Sequence, residues 1–183
     1  VQNLNEGSEV TTGTNEDDTF RASNNELGAG DVVDGLAGND RLQVFVDENA
    51  PGFGDIDYAG FETDSVEEVL VTNDSGEDVY LDMSGTEGVE LAGSVNSSED
   101  LIFDQLNDEA DVLVRNLTLS DGTDVEVYYR EGADGDGIVQ VNVEDSNVDN
   151  ITLGTVDDLG NSTNQGIDTV NLVIDGNSNI DTL

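Results

Sequence analysis

The chain has 183 residues and contains no cysteine, no histidine and no tryptophan. Without cysteine there is no disulfide, no thiolate metal site and no cysteine nucleophile. Without histidine the commonest general base is missing, and so is the usual transition-metal ligand. Any metal site has to be built from oxygen, which favours calcium over zinc, copper or iron. Lysine is absent too, and the four basic residues are arginines: Arg21, Arg41, Arg115 and Arg130. Against them stand 43 acidic residues, giving a net charge of -39. Phosphate binding needs a basic surface, so nucleic acid is excluded as a partner. No apolar run is long enough for a membrane-spanning helix, so membrane insertion is not expected. Val1-Gln2-Asn3 has no basic n-region of a secretory leader.

What the chain does have is patterned. Residues 28–44 read G-A-G-D-V-V-D-G-L-A-G-N-D-R-L-Q-V. Within them, residues 35–43 approach the calcium-binding nonapeptide G-G-x-G-x-D-x-U-x, with Leu36 in place of the second glycine. Glycine permits the positive φ that crowds carbonyls around a cation. Asp40 supplies a hard anionic oxygen with Asn39 beside it, and Leu42 and Val44 turn inward to start a strand. A looser copy lies upstream, from Gly13 to Phe20, with Asp17 and Asp18 at its end. Asp31 and Asp34 lie between the copies. Calcium takes six to eight oxygens, so one turn has to borrow ligands from its neighbour. The competing reading is a set of acidic turns, since aspartate favours turns through its own hydrogen bonds.

The segment 132–137, G-A-D-G-D-G, begins like an EF-hand loop. It lacks the later glycine and glutamate that such a loop needs. Asp134 and Asp136 are secondary calcium candidates, with a plain hairpin turn as the alternative.

From residue 61 onward short alternating runs follow one another. Val69/Val71, Val79/Leu81/Met83, Val125/Val127/Tyr129 and Val139/Val141/Val143 are examples. Period-two alternation divided by Asn, Asp, Gly and Ser predicts half-buried strands. The best helical spacing is residues 65–70. Few aromatics and no tryptophan argue against an immunoglobulin-like sandwich. The expected organisation is an N-terminal tail or exchanged strand over 1–9, calcium-binding rungs over 10–46, a loop over 47–60 and solenoid rungs over 61–183. The spacing of the runs is irregular and leaves the rung length open.

These residues resemble a known group. Residues 11–20, followed by G-D-V-V-D-G-L-A-G-N-D-R-L over 30–42, are similar to segments of bacterial surface-layer and adhesin-like proteins. These are the calcium-binding, repeats-in-toxin-related proteins of the Caulobacter surface-layer type. Residues 61–72, 81–94 and 166–172 look like weaker strand and rung motifs of the same family. The resemblance implies a right-handed parallel β-helix (an all-β solenoid), calcium as cofactor, secretion to the cell surface or extracellular space, and assembly into a layer, fibre or matrix. Leu36 in place of glycine, and Glu16 and Asp17 in place of small residues, are departures from its pattern.

No enzymatic role is expected. A polysaccharide lyase would need a basic residue as its base. Arg115 and Arg130 are better read as partners of acids such as Asp111 or Glu131. The expected partner is the chain itself, head to tail, with residues 1–10 adding a strand to a neighbour. Anionic polysaccharide, bridged by calcium, is a further one. Two rivals stand beside this reading. One is a non-polymerising, calcium-dependent adhesion or carbohydrate-binding module. The other makes the acidity an adaptation to high salt with no metal site.

Overall fold

The computed structural model describes residues 1–50, 55–117, 123–135, 137–157, 160–163 and 167–183. The chain begins with β1 (Gln2–Asn3), β2 (Val10–Thr12), β3 (Thr19–Ser23), β4 (Val32–Asp34), β5 (Arg41–Asp47) and β6 (Ile56–Tyr58). It continues with β7 (Glu62–Asp64), β8 (Glu68–Asp74), β9 (Val79–Asp82), β10 (Leu91–Val95), β11 (Leu101–Asp108) and β12 (Asp111–Arg115). It ends with β13 (Asp124–Asp134), β14 (Ile138–Glu144), β15 (Asn147–Val156), β16 (Ser162–Thr163), β17 (Thr169–Asp175) and β18 (Asn179–Thr182).

The strands form three sheets. One of eight strands runs β1-β3-β5-β8-β10-β12-β14-β17. One of seven contains β6, β9, β11, β13, β15 and β16, with β18 also on β15. A small one runs β2-β4-β7. Every pairing is parallel except β15 with β16. The fold is a β-solenoid of about five turns, all-β as expected.

The alternation in the sequence becomes columns of side chains along the axis. Phe20, Leu42, Val69, Ala92, Val112 and Val141 lie in register on successive rungs, all fully buried. Across the core, Ile56, Val79, Leu101, Val125 and Ile151 form the facing column. Burying each such Val, Leu, Ile or Phe side chain is worth about 1.5–3 kcal/mol. Polar columns run at the corners. Buried Asn73 donates through Nδ2 to the carbonyls of Glu77 (3.0 Å) and Asp100 (2.8 Å) and accepts the Ser75 hydroxyl (2.7 Å). On later rungs Ser146 Oγ accepts the Leu117 amide at 3.1 Å, and Ser178 Oγ accepts the Ser146 amide at 3.1 Å.

Rung length varies, and side-chain bonds between stacked rungs measure it. Arg21 reaches Gln43, 22 residues on, and Arg41 reaches Glu68, 27 on. Thr72 reaches Val95 (23), Asn116 reaches Asn96 (20), and Arg115 reaches Glu144 (29). Strand lengths differ as well, from the four residues of β9 to the eleven of β13, yet the columns stay in register while sequence periodicity is lost. Arg115 therefore pairs one rung away with Glu144 at 2.7 Å, rather than locally with Asp111.

The Val69/Val71 run is a strand as expected, and the weak helical spacing over 65–70 forms no helix: Val66 and Val69 are both buried, and β8 starts at Glu68. Two segments depart from expectation. The loop expected over 47–60 contains β6, whose Ile56 and Tyr58 face the core while Asp57 faces out. The Gly and Pro around that short strand mask its alternation; residues 51–54 lie outside the described residues. In the stretch expected as a tail or exchanged strand, Gln2–Asn3 pairs with Phe20–Arg21 of its own chain, and Leu4 is buried.

Candidate functional site

The two nonapeptide-like copies stack on each other. Gly13 to Asp18 links β2 to β3, and Gly35 to Asp40 links β4 to β5 one rung later. The corner is tight where the glycines stand. A Cβ on Gly13 would lie 2.6 Å from the Gly35 carbonyl oxygen, and one on Gly35 would collide with the Ser65 carbonyl oxygen. Leu36, in place of the second glycine of the pattern, adopts φ +72 and stays exposed. A leucine in that region is strained.

The stacking joins four of the predicted residues in two pairs. The Asp18 amide donates to Asp40 Oδ1 at 2.6 Å, and the Asn39 amide donates to Asp17 Oδ1 at 3.0 Å. Sequence reasoning missed a third contributor, Glu67, whose Oε2 accepts the Asp40 amide at 2.6 Å. Its turn has no glycine-aspartate motif, and only the register of β5 against β8 brings it here.

Asp40 differs from the other carboxylates. It is 0% exposed, and its Oδ2 has no hydrogen-bond partner. Burial pushes its pKa up; the Asp18 amide opposes that, and the charges of Glu67, Asp18 and Asp17 add to it. Asp18 is shifted the other way, because the Thr14 hydroxyl and amide donate to its Oδ2 at 2.8 and 2.6 Å.

The remaining predicted residues lie apart. Asp31 is buried with both oxygens used, Oδ1 by the Glu9 amide (2.9 Å) and Oδ2 by the Gly28 amide (2.8 Å). Asp34 accepts the Leu36 amide at 3.0 Å within its own turn. Asp134 ends β13; Asp136 lies outside the described residues. In that turn Glu109, from the rung before, accepts the Gly137 amide at 2.5 Å. Among the described residues no three acidic side chains are grouped to hold one ion. What the corner offers a hard cation is one buried carboxylate oxygen without a proton donor, with neighbouring carboxylates and carbonyls around it. Compared with protein families, with curated proteins and with solved structures, the chain matches none.

Proposed function

We propose that this chain is a secreted, calcium-stabilised structural protein whose solenoids stack head to tail into a surface layer, fibre or matrix. The observation that carries the reading is the Asp40 corner, where a fully buried carboxylate has one oxygen without a hydrogen-bond partner. Head-to-tail stacking follows from the fold: successive rungs pair by parallel ladders with their apolar columns in register, through to Val170, Leu172 and Ile174 on β17, and a second copy would extend the same ladder and columns. A contact between one end and the opposite end is heterologous and grows filaments when it does not close.

Calcium enters through charge. A net charge of -39 makes both the folded chain and any stack of copies self-repelling. A divalent cation at the Asp40 corner would match the free Oδ2 and relieve repulsion from Asp18 and Glu67. Binding the folded state alone stabilises it by RT ln(1 + [L]/Kd). Extracellular modules bind calcium at roughly 10⁻⁴–10⁻³ M, so a role outside the cell needs only an affinity in that range.

Light scattering during a dilution series, with calcium and then with chelator, tests this reading. Particles larger than one chain in calcium that dissociate in chelator are expected. A monomer under both conditions overturns assembly, and a melting temperature unmoved by chelator overturns the calcium role. Full replacement of calcium by concentrated sodium chloride would identify plain charge screening instead.

A further inference from the structure

The outward face of the seven-stranded sheet carries a groove unlike the rest of the acidic surface. Tyr80, Ile102 and Glu126 lie side by side on β9, β11 and β13, with Asp82 and Asp104 paired in the next outward row. Ile102 faces out yet is only 7% exposed. It lies in a cavity of about 320 Å³ lined also by Tyr80, Glu126, Tyr128 and Val156. A second cavity, of about 510 Å³, adjoins it, sharing Tyr80 and Asp104 and adding Asp55, Asp57 and Asp82. Together they cross from β6 to the β15–β16 hairpin. At about 4.8 Å per strand, that is roughly 20 Å along the solenoid axis.

Two features shape the floor. A Cβ on Gly154 would lie 2.7 Å from Cδ1 and 2.9 Å from Cε1 of Tyr128. The Tyr128 ring therefore reclines across the glycine of the next rung, with its hydroxyl donating to Glu126 Oε2 at 2.5 Å. Beside it, β11 carries a bulge. Phe103 and Leu106 pair with Val127 and Tyr129, and the extra residue puts Gln105 at φ +59. Bulges re-aim side chains and recur beside binding sites.

We propose that this groove binds an extended oligosaccharide of amino sugars, with pyranose faces on Tyr80 and Tyr128 and ammonium groups on Asp57, Asp82, Asp104 and Glu126. The carboxylates accept hydrogen bonds and give none, which suits a ligand rich in donors and positive charge. An ammonium beside a tyrosine face gains cation–π attraction as well. A bare metal ion would leave both rings unused. An extended peptide would need a run of free backbone partners, but outside the β11 bulge the groove crosses strands paired in parallel ladders. The site does not depend on assembly or on calcium at the Asp40 corner.

The chain reports on this site by itself. It has four tyrosines and no tryptophan, and the two tyrosines outside the groove, Tyr58 and Tyr129, are buried. Titrating the full chain with glucosamine hexamer, at a mildly acidic pH that keeps the amines protonated, should change tyrosine fluorescence saturably. Calorimetry should give the same affinity. Tyr80→Leu and Tyr128→Leu leave the net charge unchanged and are expected to weaken binding about tenfold each, with the circular-dichroism melt of the parent. The N-acetylated hexamer and an oligolysine of equal charge are the controls, and both should bind at least tenfold more weakly. Absence of binding overturns the proposal. So does equal binding by the tyrosine variants, which would mean diffuse attraction to an acidic surface. Tighter binding of the neutral sugar or of oligolysine also overturns it, and these two outcomes need no variant.

Discussion

Asp40 and Asp18 sit one rung apart at the same corner and are pulled in opposite directions. Thr14 stabilises the charged form of Asp18, whereas burial penalises the charge on Asp40. Asp40→Asn should separate a metal role from a purely structural one. The amide oxygen can keep the Asp18 amide, and the amide nitrogen takes the place of Oδ2 beside Gly35. In chelator the variant is expected to be more stable than the parent by roughly 1 kcal/mol, because an unpaired buried charge is gone. In calcium it is expected to be less stable, because a ligand is gone. Thermal melts in both buffers check this, and the same sign in both would remove Asp40 from the proposed calcium site. Part of this corner was legible in the chain. The match of Asp18 to Asp40 and of Phe20 to Leu42 corresponds to the observed stacking. Glu67 was not legible, because its place depends on a 27-residue rung that no local motif announces.

Strands behave more predictably than the spaces between them. Val139, Val141 and Val143 are the cleanest alternation in the sequence, and all three are buried in β14. Uneven rungs hid the rung length, because the columns stay in register while the number of residues between them varies. The same physics blurred residues 65–70, where a β-branched run mimics a helical face over one short turn. Position in the stack then decides what a substitution costs. Val141→Asp puts a charge into the closed core and should destabilise the fold by several kcal/mol. Leu172→Asp, one rung on in the same column but 39% exposed, should cost less than about 1 kcal/mol. Chemical denaturation of the two variants checks this, and equal losses would show that position in the column does not set the cost.

Among the described residues whose shift is resolved, carboxylates raised by burial outnumber those lowered by hydrogen bonds. Asp40, Asp78, Glu99, Asp100 and Asp104 are pushed up, chiefly by desolvation, while Asp18 and Asp47 are pulled down. For the raised group the folded state holds protons more tightly than the unfolded one. Their stabilisation is present below the ordinary carboxylate pKa and is lost as pH rises through the raised values. For Asp18 and Asp47 the stabilisation is present above the ordinary value and is lost as pH falls through the lowered ones. Without divalent cations the melting temperature should therefore climb on acidification from neutrality, reach a maximum near the ordinary carboxylate range, and fall below it. Calorimetry across pH in chelator tests this, and a steady fall from neutrality downward would refute it. The uneven rungs carry a mechanical consequence as well. Each turn is held mainly by the turns on either side, so a solenoid tugged by its two ends unwinds one coil at a time. Its coils release different lengths of chain, so the molecule would yield to tension in unequal steps and lengthen gradually instead of snapping.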